Sequence, residues 1–356
     1  MSRFERCNLM IAGPTEIESE VRMAAAEPMV YNRTPDYSKF VEQLGGKLKK
    51  IFKTSNEVYI LSASGTGAME AAVTNVVSPG DEIVVLSGGT FGHRWYEIAS
   101  RYGANCTMVE VEQGHSVDPQ VIADAISERT KVVFVTANET STGVLIDLKA
   151  IADVVRSTDA ILVVDAVSSL CADPLETDAW GLDVVITSTQ KALALPPGMS
   201  FITLSDKAWK CVEASTLPKY YFDLKFYRDN MRRGQTPFTP PISLMYQLDE
   251  RLDRFLAVGV DESLSAQREK SLHLRNGVKS LGLEIIGEHP SNGVLGIKFS
   301  PDIDAFKVVT ALREKYNIEI TPSPGDDKSR IARIGLLGDI SMKDIDALIQ
   351  ALEDLL

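Results

Sequence analysis

The sequence has few of the residues that build metal sites or disulfide frameworks. Its 356 residues include four cysteines and four histidines. The cysteines stand far apart without a Cys-x-x-Cys pair, and the histidines lack the short spacing of metal ligands. These residues are Cys7, Cys106, Cys171 and Cys211, and His93, His115, His273 and His289. We therefore expect no metal ion and no disulfide bonds, and the composition favours a reducing, cytoplasmic location.

Long apolar runs and an excess of positive charge are missing as well. No run reaches the roughly 18 apolar residues needed to cross a membrane. The first residues, MSRFERCNLMIAGP, contain too short an apolar stretch for a signal peptide. The net charge is −12, whereas binding to nucleic acid requires clustered Lys and Arg. We expect neither a membrane nor a nucleic-acid partner, and hence a small molecule as the ligand.

What the sequence does contain is a regular alternation of short apolar runs and helix-like segments. Candidate strands cover residues 57–61, 82–86, 106–111, 132–136, 161–164, 184–187 and 199–204. Candidate helices cover residues 68–76, 92–101, 118–125 and 148–157. Strands that are apolar throughout and separated by helices are typical of a mostly parallel sheet with helices on both faces. The pattern predicts an α/β doubly wound architecture.

The pattern changes near the Pro-Pro turn at residues 240–241. A long helical stretch covers 243–255 and continues, with interruptions, to 279. A β-α-β-β-α order follows, at residues 293–299, 305–316, 318–321, 331–335 and 342–356. We expect a large domain at residues 1–241 and a smaller C-terminal α+β domain at residues 242–356.

Three polar segments lie where chemistry is expected, at the ends of candidate strands. Lys191 follows one strand in TSTQKALALPPG, and Asp165 ends another in ILVVDAVSS. Ser64, Gly65 and Thr66 follow a third and open a helix, where backbone N–H groups favour an anion such as a phosphate. Open α/β sheets bind ligands at this edge. A lysine amine can attack a carbonyl group, and a carboxylate can pair with a protonated pyridine nitrogen.

Each segment also has a simpler interpretation. A lysine at a strand end usually reaches solvent, an aspartate there often caps a turn, and Gly-Thr-Gly can be an ordinary βα turn. The turn of an NAD-dependent dehydrogenase is a further alternative. The full Gly-x-Gly-x-x-Gly spacing and the P-loop Gly-Lys-Ser/Thr are both missing, which disfavours nucleotide cofactors. Taken together, the three segments match the needs of pyridoxal phosphate.

Seven motifs, spread over nearly the whole chain, carry a family resemblance. They are AGPTEI (12–17), SGTGAMEAA (64–72), NETSTGVL (138–145), VDAVSS (164–169), STQKALALPPG (188–198), TPFTPPISL (236–244) and RIGLLG (333–338). With them the sequence resembles the class V pyridoxal-phosphate enzymes of fold type I, within these the alanine/serine–glyoxylate aminotransferase group. The resemblance implies the fold-type I transferase architecture and pyridoxal 5'-phosphate as cofactor.

The resemblance also implies roles for individual residues. Lys191 would be the Schiff-base lysine, and Asp165 the partner of the pyridine nitrogen. Arg333 would bind the substrate carboxylate, with Gly13 as a backbone contact. Arg330 and Lys328 are interpreted as surface cations. The remaining implied cofactor contacts are Ser64, Gly65, Thr66, Phe91, Thr142, Val167, Ser188, Gln190, Thr236 and Thr239.

A homodimer with shared active sites is implied as well. Thr236 and Thr239 would reach the phosphate of the neighbouring subunit's cofactor. Tyr31, Asn32 and Arg33 are weaker candidates for entering that site. Within its own subunit, Phe91 would stack on the cofactor ring and Val167 would pack beneath it.

The expected reaction is a ping-pong transamination from a small amino acid, such as alanine or serine, to glyoxylate or pyruvate. A 2-aminoethylphosphonate–pyruvate transaminase and a transaminase with a ureidoglycine-type donor are alternatives within the same fold. A carbon–sulfur lyase or cysteine desulfurase is a poorer match. The desulfurase reaction needs a cysteine in the small domain, and no cysteine follows Cys211.

Overall fold

The computed structural model describes residues 7–323 and 329–356. The strands are β1 (Asn8–Leu9), β2 (Val58–Leu61), β3 (Glu82–Ser87), β4 (Asn105–Glu110), β5 (Thr130–Thr136), β6 (Asn138–Glu139), β7 (Val144–Leu145), β8 (Ile161–Asp165), β9 (Val184–Ser188), β10 (Ser200–Leu204), β11 (Glu284–Ile286), β12 (Val294–Lys298), β13 (Ile318–Glu319), β14 (Thr321–Pro322) and β15 (Ile331–Gly335). The helices are α1 (Ser19–Ala24), α2 (Pro35–Phe52), α3 (Gly65–Val76), α4 (Thr90–Arg101), α5 (Pro119–Ala125), α6 (Leu148–Arg156), α7 (Thr177–Trp180), α8 (Asp206–Ala214), α9 (Leu224–Met231), α10 (Ile242–Val258), α11 (Val260–Ser280), α12 (Ala305–Tyr316) and α13 (Met342–Leu355).

A seven-stranded sheet forms the centre of the larger part of the fold, in the order β2-β10-β9-β8-β5-β3-β4. Five adjacent strands of this sheet run parallel to one another, in the order β9-β8-β5-β3-β4. Strand β10 is antiparallel to both β9 and β2, so β2 runs in the same direction as β9. The carboxyl ends of six strands therefore meet at one edge.

Both faces of this sheet are buried, which explains the uninterrupted apolar runs. Alternate side chains of β3 point to opposite faces, as the two-residue period of a strand requires. Val84 and Leu86 pack in a core with residues of α2 and α6, whereas Ile83 and Val85 pack in a second core with residues of α3 and α4. The predicted α/β fold with a mostly parallel sheet is confirmed.

A second, antiparallel sheet of four strands lies in the C-terminal part, in the order β11-β12-β15-β14. Its apolar side chains share a core with those of α11, α12 and α13. The N-terminal segment joins this region, because β1 pairs with β13 and Met10 is buried in the same core. The division at residue 241 stays a prediction.

The predicted elements agree with the structure in most places. All seven predicted strands of the large sheet are present, with ends shifted by no more than two residues. The long helical stretch breaks at Gly259, which has a φ of 101° and separates α10 from α11. The single strand predicted at residues 318–321 is wrong, since its two halves pair with different strands, β1 and β15. Strand β11 was not predicted from the sequence.

Two further findings concern the described ranges alone. Within residues 7–323 and 329–356, no helix is long and apolar enough to span a membrane. Over the same residues, His, Cys, Asp and Glu side chains form no group of three or more that could hold a metal ion.

Candidate active site

Most of the residues predicted to carry chemistry lie at one edge of the large sheet, where its strands end. Asp165 is the last residue of β8, and Lys191 follows β9 by three residues. Ser64 caps α3 shortly after β2, Gly65 and Thr66 are the first residues of that helix, and Phe91 lies in the first turn of α4, shortly after β3. The parallel arrangement of these strands is what brings residues distant in sequence to one place.

Lys191 is buried, with 9% of its surface exposed. Its Nζ donates a hydrogen bond to the Ala12 carbonyl, and its own carbonyl accepts one from Thr15 Oγ1 at 3.0 Å. A β-carbon added at Gly13 would lie 2.8 Å from Lys191 Cδ, so only glycine leaves room for this side chain. The pKa of Lys191 is lowered to about 8, mainly by burial and to a smaller extent by the nearby Arg333, while Asp165 opposes both. A lysine with a lowered pKa is a better nucleophile at neutral pH.

Asp165 is buried as well and accepts a hydrogen bond from the Val167 backbone N–H at 2.8 Å. Burial raises the pKa of this carboxyl to about 6, with Glu139 adding to the rise. The Val167 N–H, Lys191 and Arg94 oppose it. The pKa of Asp165 is thus raised and that of Lys191 is lowered. Ionisable residues with such shifted pKa values cluster at catalytic sites.

The start of α3 offers an anion site with adjacent buried oxygen atoms that lack partners. Ser64 caps the helix, and its Oγ accepts from the Gly67 N–H at 3.4 Å. A β-carbon at Gly65 would lie 3.0 Å from Val167 Cγ2 and 3.2 Å from Ser188 Oγ. Ser188 Oγ and Gln190 Oε1 are buried without a hydrogen-bond partner among the described residues. Buried polar atoms of this kind need a partner, which a bound ligand can supply.

Arg333 projects from β15 towards the same site. Its Nη1 donates to the Thr140 carbonyl at 3.0 Å and its Nη2 to the Pro322 carbonyl at 3.2 Å. Its Nε is buried without a partner, and the guanidinium forms no ion pair with any described residue. Burial lowers the pKa of Arg333, which Glu139 opposes. A guanidinium that is fixed in position and still has unpaired N–H groups is suited to bind the carboxylate of a ligand.

Two residues of this site were not predicted from the sequence. Arg94 lies 4.7 Å from the centroid of the Phe91 ring and donates to Thr66 Oγ1 at 3.0 Å. Glu139, buried beneath the start of α4, accepts hydrogen bonds from the backbone N–H groups of Phe91 and Gly92. Glu139 lies inside the motif NETSTGVL, whereas Arg94 lies in none of the seven motifs and had no sequence signal of its own.

Other predicted residues lie apart from this group. The Thr236 hydroxyl donates to the Phe238 carbonyl, and Thr239 is exposed. Neither has a hydrogen bond to Lys191, Asp165 or Arg333 in the described chain. Tyr31 is 70% exposed and Asn32 half-buried, whereas Arg33 donates to Gln235 Oε1 at 3.0 Å and to the Thr236 carbonyl at 2.9 Å.

The remaining residues that were discussed from the sequence are Thr142, Arg330 and Lys328. Thr142 makes local bonds only, donating to the Glu139 carbonyl and accepting from the Val144 N–H. Arg330 is half-buried and donates to the Phe299 carbonyl, so it is not a freely exposed cation. Lys328 lies outside the described residues.

The residues at the sheet edge fit pyridoxal phosphate. The unpartnered Ser188 hydroxyl, which can donate a hydrogen bond, and the glycine turn at Gly65 suit a phosphate, and Gln190 could donate through its side-chain NH2 group. The buried carboxylate of Asp165 suits a protonated ring nitrogen, whose positive charge would favour the ionised carboxylate against the effect of burial. Lys191 is the nearby amine.

Comparison with solved structures supports this class of fold. The structure of ureidoglycine–glyoxylate aminotransferase from Bacillus subtilis matches with a TM-score of 0.93 at 29% identity, over 100% of this chain and 94% of that one. The structure of alanine–glyoxylate aminotransferase from Nostoc sp. matches with a TM-score of 0.95 at 26% identity, over 100% of this chain and 97% of that one. Fold and site together define a fold-type I transferase.

Sequence comparison gives the family. The profile of the family described as Aminotransferase class-V matches residues 15–348. A relative from Anabaena cylindrica named soluble hydrogenase 42 kDa subunit is 35% identical, over 98% of this chain and 93% of that protein. Serine–glyoxylate aminotransferase of Arabidopsis thaliana is 32% identical, over 94% of this chain and 86% of that protein. The chain belongs to the class-V aminotransferase family, whose members use pyridoxal phosphate to move an amino group from an amino donor to a 2-oxo acid.

Proposed function

We propose that this aminotransferase moves the amino group of a small amino acid, alanine or serine, to a small 2-oxo acid, glyoxylate or pyruvate. The observation that carries the proposal is the position of Arg333. Its guanidinium is fixed by two backbone carbonyls, has no acidic partner among the described residues, and is close enough to Lys191 to lower the pKa of that amine. This arrangement suits a substrate whose carboxylate and α-amino group are separated by one carbon.

The proposed division of labour follows from the surroundings of each residue. Bound pyridoxal phosphate supplies an electron-poor ring that accepts the electron pair of the broken C–H bond. Lys191 would hold the cofactor covalently through its amine, and it would act as the general base that takes the proton from the substrate carbon. Asp165 keeps the ring nitrogen protonated. Arg333 fixes the carboxylate with its N–H groups, in the two-point manner that a lysine cannot reproduce.

The remaining residues hold the cofactor in this proposal. Ser64, Gly65 and Thr66 present backbone N–H groups and hydroxyls to the phosphate at the positive end of α3, assisted by the Ser188 hydroxyl and the side-chain NH2 group of Gln190 as donors. Phe91 stacks on one face of the ring and Val167 packs on the other. These contacts keep the cofactor bound in every turnover, when its bond to Lys191 is broken.

A small substrate is supported by the crowding around Gly13, whose α-carbon faces the lysine stem. Relatives named for alanine and serine as donors and glyoxylate as acceptor are consistent with it. A ureidoglycine-type donor is the second candidate, since a protein of that name has the same fold at 29% identity. A 2-aminoethylphosphonate donor has no carboxylate and would leave Arg333 without its partner.

A homodimer with shared sites also remains part of the proposal. Thr239 is exposed, as expected of a residue that serves a neighbouring subunit, whereas Thr236 is buried and its hydroxyl donates to the Phe238 carbonyl. The exposed side chains of Met29, Val30 and Tyr31 offer apolar surface for such a contact. The cytoplasmic location stays a prediction from composition.

A half-reaction screen tests the proposed substrates. Purified protein loaded with pyridoxal phosphate is mixed with L-alanine, L-serine, L-aspartate or 2-aminoethylphosphonate, and the cofactor absorbance is followed. We expect a complete change with alanine or serine, and its reversal by glyoxylate or pyruvate. A response to 2-aminoethylphosphonate alone would contradict the proposal.

The Arg333→Ala substitution tests the carboxylate contact. Two charge-assisted hydrogen bonds are lost, each worth about 1.5 to 3 kcal/mol. We expect the KM for L-alanine to rise about 100-fold, which corresponds to about 2.7 kcal/mol. Arg330→Ala is the matched control, since it removes a neighbouring half-buried arginine and should leave KM unchanged. Equal kinetic constants for Arg333→Ala and the unmodified protein would disprove the assignment.

A further inference from the structure

Glu139 is a buried carboxylate for which the proposed reaction has no use, yet both of its carboxylate oxygens accept hydrogen bonds. Only 3% of its surface is exposed. Its Oε2 accepts from the backbone N–H groups of Gly92 at 3.0 Å and Phe91 at 3.1 Å. Its Oε1 accepts from Ser141, from the backbone N–H at 3.1 Å and the hydroxyl at 2.5 Å. All four partners are N–H or O–H donors.

These bonds make Glu139 the cap of helix α4. The residue before that helix, Gly89, has no side chain and supplies no capping bond of its own. A β-carbon at Gly89 would lie 2.8 Å from Glu139 Cγ and Cδ, so the glycine is what lets the carboxylate reach the helix end. A negative charge at this position is favoured by the helix dipole and by the free N–H groups. Phe91, proposed to stack on the cofactor ring, is among the residues held.

The segment that carries Glu139 holds the other side of the site as well. The carbonyl of the next residue, Thr140, accepts the bond from Arg333 Nη1 at 3.0 Å. Glu139 is also the acidic group that raises the pKa of Arg333 against the effect of burial, and it adds to the raised pKa of Asp165. One carboxylate thus accepts a hydrogen bond from the Phe91 backbone and influences the pKa values of two charged groups of the proposed site, Asp165 and Arg333.

We propose that Glu139 is a positioning residue that fixes Phe91 against the cofactor ring and Arg333 against the substrate carboxylate. It touches neither ligand itself. The inference rests on the proposed roles of Phe91 and Arg333 in the site. Its physical basis is that one short segment, residues 139–141, joins the start of α4 to the guanidinium on β15.

Glutamine is not a mild substitution at this position. An amide has one acceptor oxygen and two N–H donors. Whichever way the Glu139→Gln side chain turned, its NH2 group would face backbone N–H donors, either of Phe91 and Gly92 or of Ser141. Either orientation leaves buried donors unpaired. We therefore expect the start of α4 to shift.

The test compares Glu139→Gln with Asp183→Asn, a matched control at the opposite end of the sheet. Asp183 is likewise buried and accepts from a backbone N–H, that of Leu162 at 3.0 Å, and from a serine hydroxyl, that of Ser205 at 2.6 Å. Apoproteins are titrated with pyridoxal phosphate, and the Kd, the visible circular dichroism of the bound cofactor and the KM for L-alanine are measured.

We expect Glu139→Gln to raise the Kd for pyridoxal phosphate at least tenfold, to weaken the circular dichroism and to raise KM, while Asp183→Asn changes none of these. Gly89→Ala, which displaces the carboxylate without removing its charge, should change them in the same direction and serves if Glu139→Gln does not fold. Unchanged Kd and dichroism in both site variants would overturn the inference. Failure of the unmodified protein to bind pyridoxal phosphate would instead refute the proposed function.

Discussion

Lys191→Ala is expected to lower kcat by at least about 10⁴-fold, because the variant loses both the amine that bonds to the cofactor and the proton carrier. Pyridoxal phosphate should still bind without a covalent bond, held by the contacts around its phosphate and ring. Borohydride reduction followed by mass spectrometry should label Lys191 in the unmodified protein and leave the variant unlabelled. Lys270→Ala is the control, since Lys270 donates to the Ile340 carbonyl away from the proposed site and should be dispensable for turnover.

The lowered pKa of Lys191 has a consequence for stability that is measured without cofactor. The pKa of Lys191 is about 8 in the folded protein and ordinarily 10.5, so folding disfavours the protonated amine and the free energy of unfolding is lowered. This loss of stability has its full size below pH 8 and disappears above about pH 10.5. Lys191→Met keeps the apolar stem, so we expect the apoprotein of this variant to be the more stable one at pH 7, by up to a few kcal/mol. If the stability difference between Lys191→Met and the unmodified apoprotein did not decrease towards pH 10, this explanation would be contradicted.

Asp165→Asn is expected to lower kcat by about 10²- to 10³-fold, the effect of removing one fixed electrostatic partner from an enclosed site. The side chain can still accept the Val167 N–H, so the loop should keep its shape. Asp173→Asn is the control for turnover, because this carboxyl is equally buried, has a pKa raised to about 6 and lies outside the proposed site. Similar kcat values for Asp165→Asn and the unmodified protein would rule out a role for its charge.

The same substitution should stabilise the apoprotein. A carboxyl whose pKa is raised from 3.8 to about 6 by burial lowers the free energy of unfolding as pH rises through that interval. This decrease in the free energy of unfolding is absent below about pH 4 and complete above about pH 6. A pKa shift of about two units corresponds to about 3 kcal/mol. Urea unfolding of the apoproteins at pH 4 and pH 7.5 should show the gain at the higher pH only. A less stable Asp165→Asn apoprotein at pH 7.5 would show that packing outweighs charge here.

The sequence was informative wherever burial imposed a simple pattern. Strands β8 and β9 are covered on both faces, so they read as uninterrupted apolar runs, and the polar residues directly after them, Asp165 and Lys191, were conspicuous. The connection of Ser64 to helix α3 was equally plain, since its polar turn stands between two apolar elements. The order of the strands in the sheet could not be predicted from such local patterns. The reversed direction of β10 is likewise evident only from its antiparallel pairing with β2 and β9.

What escaped the sequence depends on contacts between segments. Glu139 caps a helix that begins 49 residues earlier, at Thr90, so no local pattern marks it as a cap. Arg94 looks like one of many helix-surface cations until the fold sets it beside Thr66. Strand β11 lies at the edge of its sheet, where Glu284 is exposed and the alternation is too short to detect. Residues 318–321 were predicted as one strand because only the pairing partners reveal the break at Ile320.

The pairing of β1 with β13 bears on how the enzyme is made. Asn8 pairs with Ile318, and the same N-terminal segment supplies the Ala12 carbonyl that contacts Lys191. At a synthesis rate of about 5–20 residues per second, this segment leaves the ribosome roughly 15 to 60 s before its partner strand exists. The surroundings of the lysine can therefore be completed only after Ile318 has been synthesised. Nascent chains that stop short of Ile318 should carry an unfinished site, however well their large sheet has already assembled.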